Sequence, residues 1–305
     1  MISIPHKAKQ FLLVLVKLLI VTGALYYIVN QLQGEKVIDW NVVSKFLSLK
    51  SIIILVIFST INWFLEIYKW QNLVSSFKKI TFLESAQQSL GSLTASIFTP
   101  NRIGEYGAKA LFFEKKKVKK IIFLNFIGNS SQMAITCLFG VLGIILQGDK
   151  IKFQVSILIL LGLVITIILL LAKDIEFYGF SIQKLINKFR KLPNEIINTN
   201  WNISFLRYLM FSHQFYFLLI IFHCDIDYIT AISTISLMYL IASIIPSIHL
   251  LDVTVKGSVA IYLFGTYGIE SWKIITITTV MWLFNLVIPV LIGSYFVLRY
   301  KPVKL

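Results

Sequence analysis

The stretch Thr99-Pro100-Asn101-Arg102-Ile103-Gly104-Glu105-Tyr106-Gly107-Ala108-Lys109 places three charged side chains inside a chain that otherwise avoids charge. Arg102, Glu105 and Lys109 are spaced three and four apart, so on a helix they share one face as a basic-acidic-basic stripe. After Pro246 the same kinds of residue return at the same spacing, as His249, Asp252 and Lys256. A small-residue lead-in returns with them, Ala95-Ser96-Ile97 before the first stripe and Ala242-Ser243-Ile244 before the second. Matching stripes behind matching lead-ins, each beside a proline, predict an internal repeat within a single transmembrane domain, one copy over about residues 1–150 and the other over about 151–305.

Of the 305 residues, 57% are hydrophobic and only 14% charged, and the mean hydropathy is +0.80. Soluble globular chains carry roughly 25% charged residues, so this is an all-α polytopic membrane protein. Apolar runs at Phe11–Val29, Ile52–Tyr68, Ile121–Leu146, Val155–Ala172, Phe205–Phe222 and Ile274–Leu298 approach or exceed the ~20 residues that cross a ~30 Å hydrocarbon core. A net charge of +15 raises nucleic acid as a partner. However, Lys and Arg gather in the short connections, where they fix orientation and meet anionic lipid. Trp63, Trp70, Trp201, Trp272 and Tyr300 near span ends suit a membrane interface better than a stacking platform, and nucleic acid is set aside. Cys137 and Cys224 make neither a disulfide framework nor a metal site, and no cofactor is implied. The N-terminal run is too long for a secretory signal, holds Lys17 and lacks a clear cleavage site, so it reads as a retained first span.

Lys7 and Lys9 place the N-terminus inside the cell membrane, and Arg299, Lys301 and Lys304 do the same for the C-terminus. Phe82–Thr99 is long enough to span, yet it holds Glu84, Gln87, Gln88, Ser89, Ser92, Thr94 and Ser96 and would not face lipid. The arm after it, Ile103–Phe113, makes only about 16 Å of helix and runs into the basic stretch Lys115–Lys120. A hairpin that enters from the cytoplasm, turns at Thr99–Arg102 and leaves on the same side satisfies both facts, provided protein or a watery cavity surrounds its irregular backbone. Tyr228–Ile245 and Leu250–Phe264, meeting at Pro246–His249, make a second hairpin that enters from outside. Each half then reads span, span, hairpin, span in opposite orientation, giving two inverted-topology repeats with about six full spans plus two re-entrant hairpins. Counting the hairpin arms as crossings gives about eight spans instead. The connection Lys173–Asn202 carries Lys184, Lys188, Arg190 and Lys191 and reads as cytoplasmic, with an amphipathic surface helix over Ser181–Leu192.

A charge at membrane depth costs several kcal/mol unless it is paired or wetted, so it marks function and asks for a named partner. Glu105 with Lys109, and Asp252 with Lys256, are such pairs. One reading stops there and has them lock the hairpins together. The other uses the leftover charge: Arg102, Lys109 and Lys256, with His249 when protonated, outnumber Glu105 and Asp252. The joint site is then net cationic and suits a phosphate-bearing ligand, with bidentate bonds from Arg102 and point charges from the lysines. Thr99 before Pro100 predicts a helix start there, with free amides aimed at the midplane. Gly104 and Gly107 either admit a head group or serve helix packing. A second tier of polar intramembrane residues comprises Asn62 with Glu66 and Lys69, then Asn125, Asn129 and Gln132, then His213 and Gln214. Such residues are more often interhelical glue; Glu66, Lys69, Asn129 and His213 are kept as secondary candidates.

The segment Pro100-Asn101-Arg102-Ile103-Gly104-Glu105 is a Pro-x-Arg-x-Gly-Glu pattern, and a second proline-containing hairpin follows it. In a polytopic chain this resembles the transmembrane (flippase) region of lysylphosphatidylglycerol synthases and its stand-alone relatives. The resemblance implies a lipid-translocating membrane domain with re-entrant helices, and it carries over Arg102 and Glu105 as site residues. Two departures stand against a full match. No aminoacyl-transferase domain is expected beyond Leu305, so lysyl transfer is not implied, and the second hairpin has Asp252 and Lys256 without an Arg-x-Gly-Glu core. The expected protein is thus not an enzyme but a flippase or transporter moving a phospho- or glycolipid between leaflets. Membrane lipids are its expected partners, and a homo-oligomer is compatible with the chain. Two alternatives stay open. One is a membrane-embedded transferase acting on a lipid phosphate, although the acidic pair Asp225 and Asp227 falls in an outer turn; the other is a proton-coupled small-solute transporter.

Overall fold

The computed structural model describes residues 48–99, 102–147, 182–248 and 251–300, together with Tyr26, Asn30 and Phe46. Nearly all of the run Phe11–Val29, the whole of Val155–Ala172, the turn residues Pro100 and Asn101, and His249 lie outside the described residues. Among the described residues all regular structure is helical. Four of the described helical segments are long and apolar enough to cross a membrane: Leu49–Ser75, Lys115–Gln147, Asn194–Ile221 and Ser271–Leu298.

Helix α1, Leu49–Ser75, opens on Ser48, whose hydroxyl accepts from the Ser51 amide. Its 27 residues make about 40 Å of helix, more than a hydrocarbon core requires. Helix α2, Phe82–Ala95, starts on a reciprocal cap in which Thr81 and Glu84 satisfy each other's backbone amides. Helix α3, Ile103–Ala110, has eight residues, and α2 has 14, so the arms reach about 12 and 21 Å and neither crosses alone. A single 3-10 turn at Lys115–Lys117 leads into α4, Val118–Gln147.

The expected surface helix is α5, Ile182–Phe189, with Pro193 then capping α6, Asn194–Ile221. Helix α7, Tyr228–Ile244, is capped by Asp227, whose carboxylate accepts from the Thr230 amide. It pairs with α8, Asp252–Gly265. The last crossing is α9, Ser271–Trp282, and α10, Ile288–Leu298, joined through a π-helical turn at Leu283–Val287.

That π turn has a chemical cause. Pro289 has no amide hydrogen, so the carbonyl of Asn285 loses its helical donor. Helix α1 supplies donors at this point: the Trp63 indole N–H donates to Asn285 O at 3.1 Å and the Ser59 hydroxyl to Phe284 O at 2.6 Å.

Of the three apolar clusters among the described residues, two lie at opposite ends of α1 and α6. One gathers Leu55, Phe215, Phe222, Ile235, Phe264 and Ile274. The other gathers Trp70, Leu73, Phe113, Ile121, Leu124 and Ile196. The second end is basic, with Lys78, Lys79, Lys115, Lys116, Lys117, Lys119 and Lys120 beside it, and Tyr300 binds there too, donating to Leu111 O at 2.7 Å. Both outer ends of the α2–α3 pair, near Ile80 and Phe113, join the basic-end cluster. Both outer ends of the α7–α8 pair, near Ala231 and Phe264, join the other one. The two pairs therefore point their turns at each other from opposite ends.

The pairs are also cross-braced. Helix α2 lies against α10, and α7 lies against α4, so each pair rests on a helix remote from it in sequence. Each crossing is close because it falls on glycine. A Cβ on Gly293 would overlap Leu90 O and the Thr94 hydroxyl, and one on Gly143 would overlap Ser233 O. The polar face of α2 is consumed in this packing: Ser85 donates to Ile67 O at 2.6 Å and Thr94 to Val290 O at 3.0 Å. Gly293→Leu and Gly143→Leu should each lower stability by about 1–3 kcal/mol through overpacking, read as a fall in Tm of the purified protein. Gly107→Ala, whose added Cβ meets no atom within 4 Å, should raise stability by up to about 1 kcal/mol or leave it unchanged.

Candidate functional site

The turns of the two pairs meet at a cavity of about 520 Å³ between the apolar clusters. Arg102 lines it from α3, Asp252 and Lys256 from α8, Glu66 and Lys69 from α1, and Arg207 from α6. Both sequence stripes thus reach one space, though not with every residue.

Arg102 sits in the left-handed backbone region, with φ at 58°, a conformation that costs a non-glycine residue about 1–3 kcal/mol. The turn around it is held by Thr99, whose hydroxyl donates to Ser96 O at 2.6 Å and accepts from the Gly104 amide at 3.0 Å. This corrects the expected helix start at Thr99–Pro100. The helix begins at Ile103, and Thr99 reaches forward to cap it. It also corrects the expected free amides, since Gly104 N is taken by Thr99 and Glu105 N by Arg102 O. Gly104 is a packing glycine, because a Cβ would lie 2.6 Å from the Thr99 methyl, whereas Gly107 faces open space.

Glu105 is 1% exposed and is gripped from both sides, by Arg102 at 2.9 Å and Lys109 at 2.8 Å. Lys109 is also buried: it donates to Asn125 at 2.8 Å and lies 4.3 Å over the Trp70 ring, whose indole donates to Gln88 at 2.7 Å. Glu105 and Lys109 therefore stand behind the wall. They orient Arg102, and Arg102 alone of the first stripe lines the cavity. On the facing pair, Lys256 meets Asp252 at 2.6 Å, and the Ser247 hydroxyl donates to Asp252 at 2.9 Å. His249 is adjacent in sequence but outside the described residues.

The side chain that the sequence reading missed is Arg207. It ion-pairs with Glu66, which also takes Lys69 at 2.9 Å. It donates as well to Asn62 at 3.1 Å and to Gln132 at 3.2 Å. Asn285, also missed, extends the network by accepting from Asn62 at 3.1 Å and donating to Gln214 at 2.8 Å. The signal for Arg207 was present as a cation inside the apolar run Phe205–Phe222, with no acid within one turn on its own helix. That requires a partner on another helix.

Among the secondary candidates, Glu66, Lys69 and Asn129 line the cavity, Asn129 donating to the Tyr106 hydroxyl at 3.2 Å. His213 does not: its ring nitrogens meet Leu209 O at 2.9 Å and the Tyr228 hydroxyl at 3.0 Å, which makes it glue between α6 and α7. The arrangement presents anchored cations to a space walled by amides, hydroxyls and the rings of Trp63, Tyr106, Phe211 and Tyr239. Such a space can hold an anionic, hydrogen-bonding group shielded from lipid.

A sequence model of the lysylphosphatidylglycerol synthase TM region matches residues 14–293. No curated protein and no solved structure matches the chain.

Glu66→Gln leaves Arg207 and Lys69 facing each other without their carboxylate, and should cost about 3–5 kcal/mol. The double variant Glu66→Gln/Arg207→Gln removes one of the two cations with it and should recover part of that loss. Melting of the purified variants checks both, and additive losses would contradict the pairing.

Proposed function

The chain belongs to the lysylphosphatidylglycerol synthase TM region family, and from that premise we propose that it is a membrane transporter carrying a phosphate-bearing lipid between leaflets. One observation carries the reading: both hairpin turns and two of the long helices, α1 and α6, contribute charge to a single cavity, through Arg102, Asp252, Glu66 and Arg207. The basic end lies in the cytoplasm, with both chain termini, and the membrane is the cell membrane. The pair α2–α3 is then a re-entrant hairpin from the cytoplasmic side and α7–α8 one from outside, their turns meeting near the midplane. The two halves are inverted-topology repeats, and rocking one against the other opens the cavity to each face in turn. A volume of about 520 Å³ accommodates a head group but not two acyl chains, which stay in the bilayer.

Transport fits this site better than group transfer. Glu66 lies between Lys69 and Arg207, and Glu105 between Arg102 and Lys109. A carboxylate held by two cations is a poor general base.

In liposomes containing the protein, a fluorescent short-chain phospholipid should cross between leaflets. Arg102→Gln and Lys256→Gln should each slow that transfer by about tenfold or more, the scale of losing one charge-assisted contact, with Tm little changed. Wild-type rates in both would remove the cavity from the mechanism. For orientation, in a background free of Cys137 and Cys224, Lys116→Cys should react with an impermeant thiol reagent only from the cytoplasmic side, and Asp225→Cys only from outside. Labelling of Lys116→Cys from outside would contradict the hairpin arrangement.

A further inference from the structure

The charges around the cavity do not balance. On α3, Glu105 is shared by Arg102 and Lys109, and between α1 and α6, Glu66 is shared by Lys69 and Arg207. On α8, Asp252 is matched by Lys256. Two clusters thus hold two cations to one carboxylate while the third is even, leaving two positive charges over among the described residues. No further Asp, Glu, Lys or Arg of the described residues lines the space. In surroundings of low dielectric, a surplus of this kind calls for water or a counter-charge, and an anionic ligand supplies the counter-charge.

Nor is the surplus spread evenly. The side chains of Lys69 and Lys109 are 3% and 2% exposed and are spent on their partners. Those of Arg102 and Lys256 face the space from opposite hairpins, 34% and 39% exposed. Arg102 also keeps its Nε buried with no hydrogen-bond partner.

We infer that the head group taken by this cavity carries two negative charges, as a phosphate monoester or a diphosphate diester does, and that it binds between Arg102 and Lys256. That the ligand is a lipid rests on the transport reading above; the charge requirement rests on the cavity alone. A phosphodiester lipid with one negative charge leaves one positive charge unmatched, and a zwitterionic lipid leaves two. An aminoacylated phosphatidylglycerol, with a net positive head group, leaves three. The cavity therefore selects against the cationic lipid after which the family is called.

The test uses the full chain in phosphatidylcholine nanodiscs at pH 8, where a phosphate monoester carries close to two negative charges. Binding is measured for dioctanoyl phosphatidic acid, dioctanoyl phosphatidylglycerol and the lysyl ester of the latter, with glycerol 3-phosphate as the water-soluble arm. Phosphatidic acid should bind about tenfold tighter than phosphatidylglycerol, with the lysyl ester weakest. Lys256→Gln should bring phosphatidic acid down to the level of phosphatidylglycerol. Arg102→Gln serves the same purpose if the first variant does not fold, as judged by its unliganded melting curve. Phosphatidylglycerol or its lysyl ester binding as tightly as phosphatidic acid overturns the inference. Glycerol 3-phosphate binding as tightly as phosphatidic acid upholds the charge requirement and overturns only the lipid reading. Liposome transfer of the lysyl ester without binding of any dianion does the reverse.

Discussion

The contact on which the rest depends is the bond between Arg207 of α6 and Glu66 of α1. Arg207 is not tolerable alone among apolar helices, because a lone charge there costs several kcal/mol, and Glu66, which already holds Lys69 on its own helix, is the carboxylate that meets it. Together they fix which faces of α1 and α6 turn inward. Once that is set, Asn62, Gln132 and Asn285 have donors and acceptors at hand, and the polar layer between the two apolar clusters closes on itself. The layer is a requirement of the charges, and the cavity is the part of it that the side chains do not fill.

A similar logic explains why two helices too short to cross a membrane persist inside the bundle. The α2 helix carries Ser85, Gln88 and Thr94 on the face that the bundle covers, and each has a partner on another helix. Buried in protein, these residues act as fasteners; facing lipid, they would each leave an orphaned hydrogen-bonding group. Glycines at the two crossings let backbones approach until such short bonds form. Small residues and polar fasteners here are two halves of one packing solution.

Much of this was legible in the chain. The repeat of residue types at three-and-four spacing brought Arg102, Asp252 and Lys256 to one place, and the cost of a buried charge picked out Glu66 and Lys69. Periodicity could not tell which member of a stripe lines a cavity and which stands behind it, because that depends on the neighbouring helix: Asn125 and Trp70 draw Lys109 away. The turn at Arg102 was misjudged because Thr99 before Pro100 has the local chemistry of a cap, whereas its hydroxyl serves an amide five residues on. Asn285 went unnoticed as a lone amide in an apolar run. The cue was Pro289 four residues later, which strips a carbonyl of its donor and obliges α1 to come close.

The cross-bracing of the hairpins also sets the order in which the molecule can be finished during synthesis. Helix α7 finds α4 already made, as in the bond from Gln147 to Thr234 across 87 residues. Helix α2 must wait for α10: Thr94 meets Val290 across 196 residues, and α1 waits still longer, Ser59 meeting Phe284 across 225. At ~5–20 residues per second, that interval lasts about 10–40 s. For that time the first hairpin stands with its Thr94 hydroxyl and the close-packed strip around Leu90 unmet by α10. A nascent chain stalled before its last helix therefore exposes the face of α2 that Gly293 normally meets.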